Sequence, residues 1–193
     1  MDFITIAENF GFGGFVGWAV VERAFSLFHQ QQDSGKKRVK GTFGLISVIW
    51  YGTMLFSFLD VWSLRWTLFR ESFVPLRMIA MLFIVTGIAV RVLARTALGR
   101  EYSVHVQTSD THELVTRGVY KTVRHPAYQG LSCLFIGIPL SPGSRGGIAG
   151  AVLAGIPSVV YRIRIEEQAL IEWFGNNYID YKKHTKKMIP FLW

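Results

Sequence analysis

Long apolar runs, separated by short polar stretches, make up most of the sequence. Several of the runs approach the length that a helix needs to cross a lipid bilayer. The runs predict five helices, over about Phe10–Phe28, Thr42–Leu59, Pro75–Val90, Leu131–Leu140 and Ile148–Tyr161. The pattern therefore predicts an all-α integral membrane protein with about five transmembrane helices.

The last two predicted helices form a tight hairpin. Leu131–Leu140 is too short to cross a bilayer comfortably, and the turn after it, Ser141–Gly147, is rich in proline and glycine. Aromatic and apolar residues continue at helical spacing beyond Tyr161. We therefore expect the fifth helix to extend out of the bilayer and to end or break near Gly175.

Small residues predict where helices approach each other closely. Gly13 and Gly17 are four positions apart in the first helix, and Gly146, Gly150 and Ala154 repeat every fourth position in the fifth. This spacing places small side chains on one face of each helix, where a neighbouring helix can pack against them.

The predicted helices divide a single membrane domain, residues 1–193, into two regions. Residues 1–95 form a three-helix membrane anchor region. Residues 96–193 form a second region, which includes the helical hairpin and whose polar residues, described below, make it the expected catalytic region. From Thr96 to about Tyr128 the apolar period fails, so this segment needs its own structure or a ligand to order it.

Composition and charge favour a membrane protein over a nucleic-acid binder. Half of the residues are hydrophobic and the formal net charge is +8. The basic loop His29–Lys40, the arginines after the third helix and the C-terminal lysines predict a cytoplasmic C-terminus and an external N-terminus. Acidic Asp2 and Glu8 precede the first run, whereas Arg23 is the first basic residue, so we expect a retained span rather than a cleaved signal peptide.

Polar residues near the ends of two helices suggest membrane boundaries. Asp60, Trp62 and Trp66 are typical of an interfacial exit after the second helix. Glu22 and Arg23 are either snorkelling boundary residues or a buried polar pair, and the boundary interpretation is favoured.

Cysteine and histidine usage predicts no metal site. Cys133 is the single cysteine, which excludes a disulfide framework. The histidines show no close pair at ligand spacing; they are His29, His105, His112, His125 and His184.

Candidate chemistry is concentrated in the polar segment His112–Gly130. The sequence Arg124-His125-Pro126 ends any helix through His125, because proline forces the preceding residue toward extended backbone. One interpretation is simply a well-formed helix start with Pro126 in the first turn. The density of polar and aromatic side chains favours a functional site in addition.

A second candidate group lies near the end of the fifth helix. Arg162 and Glu166 are four positions apart and share a helix face, whereas Glu167 lies about a hundred degrees round. The plainer interpretation is a boundary ion pair beside a solvated Glu167. Carboxylates at the point where a span leaves the bilayer are costly unless partnered, which favours a functional role.

The residues of these two groups resemble the isoprenylcysteine carboxyl methyltransferases. The motifs are HxLVTxGVY, RHPxYxG, RIxxEExxLxxxFGxxYxxYKK and a closing IPF, and they cover about His112–Phe191. The first three helices match that family only in being membrane helices. The resemblance implies S-adenosylmethionine bound at the cytosolic side without a Rossmann domain, S-adenosylhomocysteine as product, and a lipidated cysteine or other lipidic methyl acceptor arriving from the membrane lipids.

The resemblance also implies site residues. Those expected to line or close the cofactor pocket are His112, Leu114, Val115, Thr116, Gly118, Tyr120, Arg124, His125, Pro126 and Tyr128, with Glu167 meeting the cofactor from the last helix. Either Arg162 or Arg124 is expected to bind the acceptor carboxylate through a bidentate hydrogen bond. Glu167 is expected to face the cofactor's positive charge or to orient that arginine.

Three alternatives stay open. A phospholipid or amine N-methyltransferase needs a base to remove a proton, for which His125 or Glu166 is available. An NADPH-dependent membrane reductase of related architecture and a non-catalytic lipid-binding membrane protein are less favoured. The membrane is the cell membrane in a prokaryote and the endoplasmic reticulum in a eukaryote, and the sequence does not indicate the oligomeric state.

Overall fold

Seven α-helices build the described part of the chain. The computed structural model describes residues 3–29, 36–37, 42–69, 74–99, 107–108 and 114–189. The helices are α1 (Phe3–His29), α2 (Thr42–Leu59), α3 (Val74–Leu98), α4 (Pro126–Leu140), α5 (Arg145–Gly150), α6 (Ile156–Phe174) and α7 (Asn176–His184). The all-α prediction is confirmed. The described strands, β1 (Lys36–Lys37) and β2 (Gln107–Thr108), form a two-residue antiparallel pair.

Three helical stretches among the described residues are long and apolar enough to cross a membrane: Gly44–Leu64, Val74–Leu98 and Arg145–Phe174. The last stretch passes from α5 through a π-helical turn, Ala151–Gly155, into α6, so the predicted continuation of the fifth helix is confirmed. A short turn joins α4 to α5. A total of five membrane spans, with both arms of this hairpin crossing, stays a prediction.

Helices α3 and α4 make the closest helix contact in the described structure. A Cβ placed on Gly87 of α3 would lie 2.9 Å from the carbonyl oxygen of Gly130, and one on Gly137 of α4 would lie 3.0 Å from the carbonyl oxygen of Ala80. Only glycine permits this approach of two backbones. The apolar core beside this contact includes Trp50, Phe135, Leu134, Ile138, Ile84 and Ile163.

The small-residue predictions are correct for α5 and wrong for α1. Gly146 and Gly150 pack against side chains of α2, but Ala154 is exposed because the π-helical turn changes the phase of the helix. In α1, no atom of the described residues outside the helix's own backbone lies within 4 Å of a Cβ placed on Gly13 or Gly17. The buried face of α1 includes Gly14 and Trp18, each one position later, and Gly11.

The residues that follow α2 fold back over the hairpin turn. Asp60, predicted at a membrane interface, is fully buried within the protein. Its carboxylate accepts hydrogen bonds from the backbone of Trp66 and Thr67 and from the Ser144 hydroxyl at 2.8 Å. Buried carboxylates need such donors, and here they join the loop to the turn between α4 and α5. Trp66 itself is exposed.

The C-terminal residues fold back onto the segment that precedes α4. Gly175 ends α6 with φ 55°, and α7 begins immediately afterwards. Beyond α7, the backbone N–H groups of Arg124 and His125 donate to the carbonyls of Lys186 and Lys187 at 2.8 and 3.0 Å. The chain therefore closes over the Arg124-His125-Pro126 motif.

Candidate functional site

The polar segment before α4 faces α6 and α7, as the sequence predicts. Pro126 occupies the first turn of α4, and His125 before it has φ −124° and ψ 56°, outside the α-helical conformation that a following proline disfavours. Tyr120 is buried, and its carbonyl accepts a hydrogen bond of 2.6 Å from the Tyr181 hydroxyl of α7. His112 lies outside the described residues.

Glu167 is surrounded by cationic side chains. Its Oε1 lies 3.1 Å from Arg124 Nε and 3.4 Å from His125 Nε2. Its Oε2 lies 3.3 Å from Lys182 Nζ and 3.8 Å from Lys187 Nζ. The Glu167 cluster, as we call these five residues, joins the motif segment to α6, to α7 and to the residues after α7. The interpretation of Glu167 as merely solvated is wrong, because its side chain is only 8% exposed.

Arg124 also connects the Glu167 cluster to the end of α7. Its Nη1 donates to the carbonyl of Lys182 at 3.2 Å and, more closely, to that of Thr185. These carbonyls are at the end of α7, where a positive charge is favourable. Arg124 therefore joins the C-terminus of α7 to the Glu167 carboxylate.

A second group of polar side chains, Tyr128 of α4 with Arg162 and Glu166 of α6, lies beside the Glu167 cluster. The Tyr128 hydroxyl donates to Glu166 Oε2 at 2.7 Å and accepts from Arg162 Nε at 3.2 Å. Arg162 is buried, and its Nε lies 4.0 Å from Glu166. The rings of Tyr128 and His125 have centroids 6.0 Å apart, so this group and the Glu167 cluster are neighbours.

Two buried polar atoms at the site lack a hydrogen-bond partner among the described residues: His125 Nε2 and the Tyr178 hydroxyl oxygen. The 3.4 Å separation between His125 and Glu167 is too long or too poorly aligned to satisfy the ring nitrogen. Burial raises the pKa of Tyr178, and the Glu167 charge raises it further, so the hydroxyl keeps its proton. Unsatisfied buried groups are costly, and a polar ligand would satisfy them.

The remaining described residues that were predicted to line the cofactor pocket precede Arg124 in the chain. Leu114 and Val115 are half-buried, whereas Thr116 and Gly118 are exposed. Gly118 begins a 3₁₀ turn, Gly118–Lys121, with φ 60°, a conformation that favours glycine. A Cβ on Gly118 would lie 3.5 Å from Ala97, so this turn packs against the end of α3.

Sequence analysis missed two residues of the Glu167 cluster. Lys182 and Lys187 are among the C-terminal lysines that predict a cytoplasmic C-terminus, but their ammonium groups point at Glu167. The predicted helix break at Gly175 could have indicated their position. If the chain reverses at Gly175, the lysines that follow it return to α6. Among the described residues, no three histidine, cysteine or carboxylate side chains gather where a metal ion would bind.

Comparison with known proteins identifies similar chains. A family model for phospholipid methyltransferase matches residues 76–177, more than half of the chain. This match includes α3, whereas the sequence motifs begin only at His112. A protein-S-isoprenylcysteine O-methyltransferase of Xenopus laevis is 35% identical over 119 residues, 61% of this chain and 41% of that protein. One of Dictyostelium discoideum is 32% identical over 140 residues, 71% of this chain and 59% of that protein.

A solved structure is also similar. It is described as the eukaryotic intramembrane Ras methyltransferase, an isoprenylcysteine carboxyl methyltransferase. It superposes with a TM-score of 0.62 at 28% identity, and the match covers 76% of this chain and 52% of that one. The chain thus spans about 41% of the length of the Xenopus relative and about half of the solved structure.

Proposed function

The chain belongs to the phospholipid methyltransferase family, and from this premise we propose that it transfers a methyl group from S-adenosylmethionine to the carboxylate of a prenylated cysteine or a similar lipidic acceptor. The similar curated proteins are named for isoprenylcysteine O-methylation. One observation of this chain carries the proposal: the two motif segments come together, with Arg124 and Tyr128 on one side and Glu166 and Glu167 on the other.

The polar groups at this site fit S-adenosylmethionine. The unsatisfied His125 Nε2 and Tyr178 hydroxyl are buried beside Glu167 and suit a ligand that is rich in polar groups. When bound, the cofactor supplies an activated methyl group on a sulfonium. The residues proposed to hold it are His112, Leu114, Val115, Thr116, Gly118, Tyr120, His125, Pro126, Tyr128 and Glu167.

We assign the acceptor carboxylate to Arg162 rather than to Arg124. Arg124 has a structural role, because two of its nitrogens bond to Glu167 and to carbonyls at the end of α7. Arg162 precedes Glu166 in the apolar stretch Arg145–Phe174, so in the orientation proposed below it lies nearer to the membrane, from which a lipid-linked carboxylate would arrive. A guanidinium matches a carboxylate through two parallel hydrogen bonds. Tyr128 fixes Arg162 through its Nε.

The reaction requires positioning more than acid–base chemistry. A carboxylate acceptor is already ionised at neutral pH, so no residue has to remove a proton from it. Holding two reactants in line contributes about 7–11 kcal/mol to a reaction of this kind. Glu167 contributes by holding Arg124 and Lys182 in place, and the buried position of Arg162 excludes water from the nucleophile.

The chain is a membrane protein, and we propose its orientation from its charge. Five spans place the N-terminus outside and the C-terminus inside, with the cofactor site at the cytoplasmic boundary. In this arrangement residues 1–95 form the anchor region and residues 96–193 the catalytic region of a single domain. Membrane lipids and a lipidated acceptor are the partners, in the cell membrane of a prokaryote or the endoplasmic reticulum of a eukaryote.

Methyl-acceptor specificity tests the proposal. The purified protein, in detergent, is incubated with radiolabelled S-adenosylmethionine and either a farnesylated cysteine analogue or an amine lipid. Base-labile label on the cysteine analogue supports carboxyl methylation, and base-stable label on the amine lipid supports N-methylation instead. Calorimetric titration with S-adenosylhomocysteine and with NADPH separates a methyltransferase from a reductase. Binding of neither ligand favours a non-catalytic lipid-binding protein.

A further inference from the structure

Glu22 of α1 bridges two buried arginines of α3. Its Oε1 accepts from Arg91 Nε at 2.7 Å and more closely from Arg91 Nη2, and its Oε2 accepts from Arg95 Nη2. The two arginines are 8% and 2% exposed. Charged groups in such positions are costly unless they are paired, so one carboxylate holds both arginines in place. Neither interpretation of Glu22 and Arg23 included this contact, since the partners of Glu22 lie 69 and 73 positions later in the chain and Arg23 is exposed.

Arg91 extends this contact to α4. Its Nη1 donates to the carbonyl oxygen of Ala127 at 2.8 Å. Ala127 lies in the first turn of α4, between Pro126 and Tyr128. Glu22 fixes the Nε side of the same guanidinium and thereby its direction.

Gly130 makes room for this connection. A Cβ at Gly130 would lie 2.6 Å from Arg91 Cγ and 2.7 Å from the carbonyl oxygen of Gly87. A larger residue would displace either Arg91 or the backbone of α3. The glycine that ends the RHPxYxG motif therefore allows Arg91 to reach the first turn of α4.

The first turn of α4 also carries the Tyr128 hydroxyl, which lies between Glu166 and Arg162. We infer that Glu22 is a positioning residue for the methyl-transfer site: through Arg91 and the Ala127 carbonyl it fixes the first turn of α4, and so holds Tyr128 against Arg162 and Glu166. This inference rests on the proposed function. According to this inference, α1 contributes to the methyl-transfer site and is more than a membrane anchor.

A double-mutant cycle separates positioning from general support of the fold. Glu22→Gln keeps the size of the side chain and removes its charge, and Tyr128→Phe removes the hydroxyl that Glu22 is inferred to position. Methyl transfer to a farnesylated cysteine analogue is measured for the full-length protein, both single variants and the double variant. Arg23→Gln is the matched control, because Arg23 is the exposed neighbour of Glu22 on α1.

We expect Glu22→Gln to lower kcat/KM for the acceptor about tenfold in the native background and less than about twofold in the Tyr128→Phe background. Arg23→Gln should change kcat/KM less than about twofold in either background. If Glu22→Gln does not yield folded protein, Arg91→Lys takes its place, because lysine keeps the charge but does not bridge Glu22 and the Ala127 carbonyl.

Equal losses in the two backgrounds would overturn the inference, because they would show that Glu22 acts independently of Tyr128. That result would leave the proposed function intact. Absence of methyl transfer by the native protein would instead contradict the proposed function, and with it the role of Glu22.

Discussion

Arg124 and Glu167 are 43 positions apart in the chain and form a buried ion pair, with Nε of Arg124 3.1 Å from Oε1 of Glu167. Each side chain is only 8% exposed. The pair joins the segment before α4 to the end of α6, and Arg124 also binds carbonyls at the end of α7. Three separate parts of the chain therefore depend on one carboxylate.

Glu167→Gln tests this dependence. The substitution leaves Arg124 buried without its counterion and removes the charge that faces Lys182. We expect methyl transfer to fall about 100-fold, because Arg124, left buried without its counterion, no longer holds the motif segment against α6 and α7. Calorimetric affinity for S-adenosylhomocysteine should weaken as well. Glu172→Gln, at an exposed position of the same helix, is the control and should retain native activity.

Arg162→Lys tests the assignment of the acceptor carboxylate. Lysine keeps the positive charge but cannot form two parallel hydrogen bonds with a carboxylate. We expect KM for a farnesylated cysteine analogue to rise about tenfold, while affinity for S-adenosylhomocysteine changes little. Arg164→Lys is the matched control, because Arg164 is exposed on the same helix. An unchanged KM in Arg162→Lys would move the carboxylate site elsewhere.

Lys182→Gln and Lys183→Gln distinguish two adjacent lysines. Lys182 Nζ lies 3.3 Å from Glu167, whereas Lys183 pairs with the exposed Asp180. We expect Lys182→Gln to weaken S-adenosylhomocysteine binding about threefold, a modest effect because Lys182 is partly exposed to solvent. Lys183→Gln should leave binding unchanged. Equal effects of the two substitutions would argue against a specific role for Lys182.

Gly175→Ala tests the reversal between α6 and α7. Gly175 has φ 55° and ψ −129°, a backbone conformation that residues with a Cβ rarely adopt. We expect alanine there to destabilise the fold by about 1–3 kcal/mol, measured by thermal unfolding in detergent. Gly13→Ala is the control: it is helical with no atom within 4 Å of the added Cβ, so alanine should stabilise by roughly 0.5–1 kcal/mol. A stable Gly175→Ala protein would mean that the reversal tolerates a side chain.

The sequence predicted the features that depend on local chemistry. The apolar runs predicted α2 and the start of α3 closely, although α3 extends eight residues beyond the predicted end, at Val90. Pro126 predicted the first turn of α4, and Gly175 predicted the end of α6. The two motif segments also face each other as expected. These features follow from periodicity and from proline and glycine, whose effects act over a few residues.

The features that were missed depend on contacts between distant residues. Periodicity does not indicate that α7 reverses and brings Lys182 to Glu167, because the direction of the turn is set by the backbone at Gly175. Asp60 is buried because a loop folds over it and supplies donors from Thr67 and Ser144. These donors are up to 84 positions away, beyond the reach of any local pattern.

The central claim is that this chain methylates a lipid-linked carboxylate. The most direct measurement is transfer of label from radiolabelled S-adenosylmethionine to a farnesylated cysteine analogue, followed by treatment of the product with base. We predict labelled product whose methyl group is released by base, as a methyl ester requires. Label that resists base, or label found only on an amine lipid offered beside the cysteine analogue, would contradict the claim.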